Sequence, residues 1–231
     1  MTPGSPEQGM NALEVILSNK TAALFQILAI LPSHILAGAL VWAVVTRFGK
    51  RPFLASLGLV GSGGLELLAS VGLGVVLFGS ASLLAHLIGA DKPTQLEQII
   101  NSSPAARYAI AVFATFTAPF IEELIYRGVL YSALQRVVGL SGAVIIVLGV
   151  FTLIHVPQYW PNFGIIAAVG LLSVALTVIR AYTGRLLPCI VIHFVFNGIQ
   201  SVLLLIQRPA PVKDPSAVIA FILFRLWRLV I

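Results

Sequence analysis

Long apolar runs separated by short polar stretches are the feature that most constrains the fold of this 231-residue chain. A helix needs about 20 mostly apolar residues to cross a bilayer. Six candidate runs and a shorter seventh occupy residues 23–46, 67–89, 106–134, 142–156, 162–182, 186–206 and 216–231. They lack the alternation of apolar and polar residues that a membrane-spanning β-strand shows. The sequence therefore predicts an all-α, polytopic membrane helical bundle with six to seven or eight transmembrane helices.

The composition agrees with a chain whose solvent is the lipid bilayer. Charged residues make up 10% of the sequence, against about 25% in a typical soluble domain. The net charge of +6 comes from basic residues scattered between the apolar runs, which is typical of helix-orienting residues and does not indicate nucleic-acid binding. No stretch accommodates a separate soluble domain. Residues 1–231 are therefore predicted to form a single integral membrane domain.

The basic residues also indicate an orientation, because they concentrate on the cytoplasmic side of membrane proteins. If the N-terminus lies outside, the cytoplasmic side carries Arg47, Lys50, Arg51, Arg136, Arg180, Arg185, Arg225 and Arg228. The other side carries Lys20, Lys92, Arg107, Arg208 and Lys213. This modest bias of eight against five predicts an outside N-terminus.

Three charged residues interrupt the third apolar run, in the stretch PFIEELIYRGVLY at 119–131. Each charge at the centre of a membrane helix costs about 2.5–3.5 kcal/mol on the insertion scale. Glu123 and Arg127 are four residues apart, so they share a helix face and can form an ion pair. Glu122 points about 100° away and cannot share that partner equally. One carboxylate is therefore left to find partners on other helices.

Polar residues in two later runs are candidates for those partners. His155 lies near one end of the fourth run, and His193 and Asn197 lie four residues apart in the sixth, on one helix face. A single histidine in such a run is more often a hydrogen-bonded packing residue than a ligand. Two histidines, an asparagine and an unpaired glutamate on three apolar helices instead favour a shared polar site inside the bundle. His34 and His86 are interpreted as packing or interfacial residues.

Two kinds of chemistry fit such a site. Two imidazoles and a carboxylate can hold a catalytic Zn²⁺ with an open position for water, whose pKa the metal lowers towards about 7. Without a metal, a glutamate and a histidine can activate water directly while neighbouring donors stabilise the developing oxyanion. Both routes amount to hydrolysis of an amide bond. The sequence contains neither H-E-x-x-H nor G-x-S-x-G, the motifs of soluble zinc and serine hydrolases.

Three motifs in this order resemble those of the CPBP family of intramembrane proteases. They are E-E-x-x-x-R at Glu122, Glu123 and Arg127, F-x-x-x-H at Phe151 and His155, and H-x-x-x-N at His193 and Asn197. The family includes the prenyl-protein CAAX endopeptidase and bacteriocin-processing or immunity proteins. The resemblance covers residues 104–205, which are predicted to be the catalytic core.

The resemblance implies a role for each motif residue. Catalytic roles fall to Glu122, Glu123, His155, His193 and Asn197, with Arg127 and Phe151 as structural support. The resemblance implies that Glu122 is the carboxylate that activates water, while Glu123 and Arg127 brace the helix. If a metal such as Zn²⁺ is bound, its expected ligands are Glu122, His155 and His193. A mechanism by glutamate without metal stays open.

The implied function is an intramembrane endopeptidase, a protease of the CAAX type, acting on a membrane-associated peptide or a lipidated protein that can be prenylated. The chain is expected in a prokaryotic cell membrane, with its site open towards the cytoplasm. One alternative is a non-enzymatic membrane partner or immunity-type protein that sequesters or inhibits another membrane protein. The other is a proton-coupled transporter, since intramembrane glutamate and histidine also form proton relays.

Overall fold

The computed structural model of the chain describes residues 20–60, 64–90 and 92–207, and these residues contain helices and no β-strand. In chain order the α-helices are α1 Lys20–Leu28, α2 Ile30–Thr46, α3 Phe53–Leu57, α4 Gly64–Ile88, α5 Gln95–Asn101, α6 Pro104–Val112, α7 Ala118–Glu123, α8 Tyr131–Tyr159, α9 Phe163–Thr183 and α10 Leu187–Ile206. Two π-helical segments, π1 at Phe113–Thr117 and π2 at Leu124–Leu130, flank α7. Helices α6 to α8 therefore form one continuous helical run.

Five helical runs in the described residues are long and apolar enough to cross a membrane: Leu24–Thr46, Glu66–Ile88, Pro104–Tyr159, Phe163–Thr183 and Leu187–Ile206. They confirm the predicted helical membrane bundle and show an integral membrane protein. Four of them coincide within a few residues with predicted runs. The third includes both 106–134 and 142–156, which the sequence treated as separate helices. The predicted run at 216–231 lies outside the described residues.

The 56-residue run Pro104–Tyr159 folds back on itself at Gly139. A straight helix of that length would measure about 84 Å, far more than the roughly 30 Å of a bilayer core. Gly139 has φ 73° and ψ −177°, a conformation that glycine adopts without strain. Tyr126, before this break, packs edge-on against Phe151 after it, with ring centroids 5.0 Å apart. The two predicted helices thus exist as the antiparallel arms of a hairpin.

Helices α4, α9 and α10 form the closest-packed part of the bundle. Their shared core includes Leu77 of α4, Leu176 of α9, and Ile192 and Phe196 of α10. Small residues allow this approach, because a Cβ on Gly74 of α4 would overlap the side chain of Val195. The packing of α9 and α10 against α4 matters for the site, since α9 and α10 both contribute side chains to it.

Gly164, near the start of α9, is expected to tolerate no larger residue. A Cβ there would overlap the carbonyl oxygen of Ala85 in α4, and backbone atoms cannot move aside as a flexible side chain can. We expect Gly164→Ala to lower the free energy of unfolding by about 1–3 kcal/mol. Gly79→Ala in α4, where a Cβ meets nothing within 4 Å, is the matched control. Equal thermal unfolding midpoints for the two purified variants in detergent would contradict this packing.

Candidate active site

The glutamate pair lies in a short α-helical turn between two π-helical segments. Helix α7 carries Glu122 and Glu123 as its last two residues, and π1 and π2 adjoin it on either side. In a π-helix the N–H group donates to the carbonyl five residues earlier instead of four, which changes the rotation between successive side chains. Such segments are rare and are found frequently at functional sites. The helix that carries the first motif is therefore irregular on both sides of it.

Pro119 accounts for the contact that Asn197 makes. At the end of π1 the N–H of Ala118 donates to the carbonyl of Phe113, five residues earlier. The next bond of this series would run from residue 119 to Ala114, but proline has no N–H. The Ala114 carbonyl instead accepts a hydrogen bond from Nδ2 of Asn197 at 2.9 Å. Asn197 thus ties α10 to the glutamate helix and keeps its second amide hydrogen for another acceptor.

Glu123 and Arg127 form a fully buried ion pair, as their spacing predicted. Both side chains are 0% exposed, and Nη1 of Arg127 donates to Oε1 of Glu123 at 2.9 Å. The guanidinium carbon lies 4.6 Å from the ring centroid of Phe151, which stacks on it from the other arm of the hairpin. Arg127 also donates to Ser173 and Thr177 of α9. A buried pair of charges persists only with such a full set of hydrogen bonds.

His193 joins the two glutamates. Its Nδ1 lies 2.9 Å from Oε1 of Glu123, and because the ion-paired carboxylate is an acceptor, Nδ1–H donates. In a neutral ring, Nε2 then carries a lone pair, and it lies 3.8 Å from Oε2 of Glu122. One water molecule can donate a hydrogen bond to each of two acceptors at this separation. The usual distance from a hydroxyl oxygen to its acceptor is about 2.7–2.8 Å. Oε2 of buried Glu123 has no hydrogen-bond partner.

The two glutamates therefore differ in environment although they are adjacent in sequence. The Glu122 side chain is 23% exposed, whereas that of Glu123 is completely buried. Glu122 is within electrostatic range of His34, Tyr126 and Tyr159, which come from three different parts of the chain. Glu122 is thus the carboxylate that a substrate or a water molecule can reach.

His155 and His193 both lie against the ring of Phe151. The ring centroid of His155 is 4.6 Å from that of Phe151, which in turn is 6.2 Å from that of His193. Nδ1 of His155 is 2.7 Å from the carbonyl oxygen of Phe151, so Nδ1–H donates and Nε2 carries the lone pair. The ring also stacks against Tyr159 with centroids 6.3 Å apart. Phe151 is therefore the contact through which both histidines and Arg127 meet.

The predicted zinc ligands fit a metal by donor chemistry but are not gathered around one point. Both histidines present an unprotonated Nε2 while Nδ1–H is held by an oxygen, the arrangement that metal-binding histidines show. Within residues 20–60, 64–90 and 92–207, however, no three His, Cys, Asp or Glu residues are grouped to hold a metal ion. Zinc bound by Glu122, His155 and His193 stays a prediction.

His34 of α2 is a neighbour of the site, although the sequence indicated only a packing or interfacial residue. Its Nδ1 is 2.9 Å from Oγ1 of Thr117, whose hydroxyl hydrogen goes to the carbonyl of Phe113, so Nδ1–H donates here too. His34 also lines an apolar groove of about 230 Å³ between α2 and the glutamate helix. The remaining lining residues are Leu31, Ile35, Gly38, Phe116, Thr117, Phe120 and Ile121. No motif marks His34, because its partners are distant in sequence.

Comparison with known protein families finds a match over the segment that carries all three motifs. Residues 104–199 match the family model described as type II CAAX prenyl endopeptidase Rce1-like. This match agrees with the resemblance to the CPBP family that the three motifs carry. No curated protein and no solved structure matches the chain.

Proposed function

We propose that this chain, whose residues 104–199 match the type II CAAX prenyl endopeptidase model, is a member of that family and hydrolyses a peptide bond with water activated by Glu122. The observation that carries the proposal is the approach of Glu122 Oε2 to His193 Nε2 at 3.8 Å, with Glu123 bonded to the opposite side of the ring. This arrangement provides a base, a second acceptor for the same water, and a buried carboxylate that fixes the ring orientation.

The proposed reaction needs two proton movements, both at Glu122. Its carboxylate takes a proton from the water as the water oxygen forms a bond to the substrate carbonyl carbon. His193 Nε2 accepts a hydrogen bond from the other O–H of that water and so keeps the water in place. The negative charge that develops on the carbonyl oxygen can be stabilised by the second amide hydrogen of Asn197. Glu122 then returns its proton to the amine nitrogen while the C–N bond breaks, which leaves a carboxylic acid and an amine; the acid then gives its proton to the solvent or to the amine.

The division of roles between the two glutamates follows from their surroundings. Glu123 has no exposure and shares its Oε1 between Arg127 and His193, so it is poorly placed to exchange a proton with substrate. Glu122 is partly exposed and carries no ion pair with arginine or lysine within the described part of the chain. A base that must take up and release a proton needs this access.

The family match supports a membrane-associated protein as substrate. Within that class we propose a lipidated C-terminal peptide of the prenylated type. We further propose that the chain lies in a prokaryotic cell membrane with its site open towards the cytoplasm, and contacts at one end of the bundle support this orientation. The N–H of Leu186 donates to Gly58 O, and Arg185 pairs with Glu66. The basic segments around residues 47–51 and 180–185 therefore lie at the same end of the bundle, as the positive-inside rule requires.

The test is cleavage of a fluorogenic farnesylated C-a-a-X peptide by the protein purified in detergent, together with analysis of its metal content. We expect Glu122→Gln to lower kcat/KM at least about a hundredfold, because glutamine cannot take up the proton. Glu66→Gln is the matched control, since the Glu66 side chain is 25% exposed, close to the 23% of Glu122. Cleavage by Glu122→Gln at the wild-type rate would refute the assignment of Glu122 as base.

A further inference from the structure

One face of α9 holds Arg127 by both its side chain and its backbone. Ser173, Thr177 and Arg180 are spaced by four and three residues and therefore lie on the same side of their helix. All three are buried, with 0%, 0% and 8% exposure. None of them belongs to the three motifs. We call this set the α9 cradle.

Ser173 and Thr177 hold the guanidinium group. Nη2 of Arg127 donates to both the carbonyl and the hydroxyl oxygen of Ser173, each at 3.0 Å, and Nε donates to Oγ1 of Thr177 at 3.3 Å. Thr177 in turn donates its hydroxyl hydrogen to Ser173 O at 2.7 Å, which leaves its oxygen free to accept. These bonds restrict the plane of the guanidinium group, and that plane determines where Nη1 meets Glu123.

Arg180 holds the backbone of the same residue. In π2 the N–H of Tyr131 donates to Tyr126 O, so the carbonyl of Arg127 does not receive the bond that an α-helix would supply from residue 131. Nε of Arg180 donates to that carbonyl at 3.2 Å. Its Nη1 donates to the carbonyls of Leu57 and Gly184, at 3.1 and 2.5 Å. In the part of the chain that the structure describes, Arg180 forms no ion pair.

We propose that the α9 cradle is a positioning element for the active site, acting on Glu123 and His193 through Arg127. The chain of contacts is continuous: Thr177 to Arg127, Arg127 Nη1 to Glu123 Oε1, and the same oxygen to His193 Nδ1. A shift of Arg127 therefore changes the direction in which His193 Nε2 points towards Glu122. The proposal rests on the proposed function, because it assigns the cradle to the geometry of that reaction.

Thr177 offers the sharpest test, because valine has nearly the same shape without the hydroxyl and serine keeps the hydroxyl. We expect Thr177→Val to lower kcat about tenfold with KM unchanged, since displaced catalytic groups slow the chemical step more than substrate binding. Thr177→Ser should return kcat to within about twofold of wild type. Thr183→Val is the control, because that exposed hydroxyl bonds only within its own helix turn and to the loop after it. It should leave both constants unchanged.

Each other outcome overturns the proposal. Wild-type kcat in Thr177→Val would show that the hydroxyl does not position Arg127. Equal loss in the serine and valine variants would assign the effect to packing volume. Loss of folded protein in Thr177→Val alone would make the hydroxyl a stability contact. Glu122→Gln, assayed in parallel with the same farnesylated peptide, distinguishes failure of the proposed function from failure of the cradle proposal. If Glu122→Gln stays active, the proposed function fails. If Glu122→Gln is inactive and Thr177→Val is fully active, only the cradle proposal fails.

Discussion

Replacement of Arg127 by methionine should leave little folded protein and no measurable cleavage. Among residues 20–60, 64–90 and 92–207, Arg127 is the one arginine or lysine in contact with Glu123, and the change removes it while that carboxylate stays fully buried, with Oε2 already lacking a partner there. Removing one member of a buried ion pair costs about 3–5 kcal/mol, because the other charge is left uncompensated. That amount is a large fraction of the total stability of a typical domain. The measurement is the unfolding midpoint of the purified protein in detergent, followed by cleavage of the farnesylated peptide.

The double variant Glu123→Gln/Arg127→Met separates stability from catalysis. It removes both charges, so no unpaired charge is buried, and its unfolding midpoint should recover most of the loss seen in Arg127→Met. Cleavage should not recover, because neither the charged partner of His193 nor the cation that fixes it is present. If Arg127→Met alone unfolds at the wild-type temperature, the buried pair does not stabilise the bundle and this account is wrong.

The membrane helices could be predicted from the sequence because lipid imposes a length and a polarity that are visible in the residues themselves. The runs at 67–89 and 162–182 end within two residues of the structural spans Glu66–Ile88 and Phe163–Thr183. The third and fourth runs were separated correctly by their polarity, and the helix breaks between them at Gly139. The direction of the chain after this break depends on the conformation of Gly139, which composition does not specify.

Within the site, local contacts were predictable and distant ones were not. The Glu123–Arg127 pair follows from a spacing of four residues. The two π-helical segments have no sequence signature apart from Pro119, and they alter which carbonyls are left for Asn197 and Arg180. Reading α7 and its neighbours as one α-helix therefore gives the Glu123–Arg127 pair but an incomplete set of partners.

The cradle residues show why polar side chains in apolar helices are hard to interpret. Ser82 and Thr183 each bond to a carbonyl of their own helix four residues earlier, as serine and threonine commonly do in lipid. Thr177 makes the same local bond to Ser173 and still accepts from Arg127, fifty residues away along the chain. Its sequence context does not distinguish it from Thr183. Only the packing of α9 against the hairpin does so.

The second large effect is expected at His193, where two substitutions separate the two nitrogens of the ring. Asparagine places an amide near the position of Nδ1, so His193→Asn can still donate to Glu123 Oε1 but presents nothing to Glu122. We expect this variant to unfold near the wild-type temperature and to lose about a hundredfold in kcat/KM, because the reacting water is no longer held in position beside Glu122. Glutamine reaches the position of Nε2 instead. His193→Gln should therefore leave Glu123 with Arg127 alone and unfold at a lower temperature than His193→Asn.

The comparison decides which side of the imidazole matters for catalysis. In the structure Nδ1 serves the buried carboxylate at 2.9 Å and Nε2 faces Glu122 at 3.8 Å. If His193→Asn retained a tenth or more of the wild-type kcat/KM on the farnesylated peptide, Nε2 would not hold the reacting water, and the ring would act only as a hydrogen-bond partner of Glu123. A folded, inactive asparagine variant instead assigns the reaction to the Glu122 side. The reason is geometric: the two ring nitrogens face different carboxylates, and of these two carboxylates only Glu122 is partly exposed.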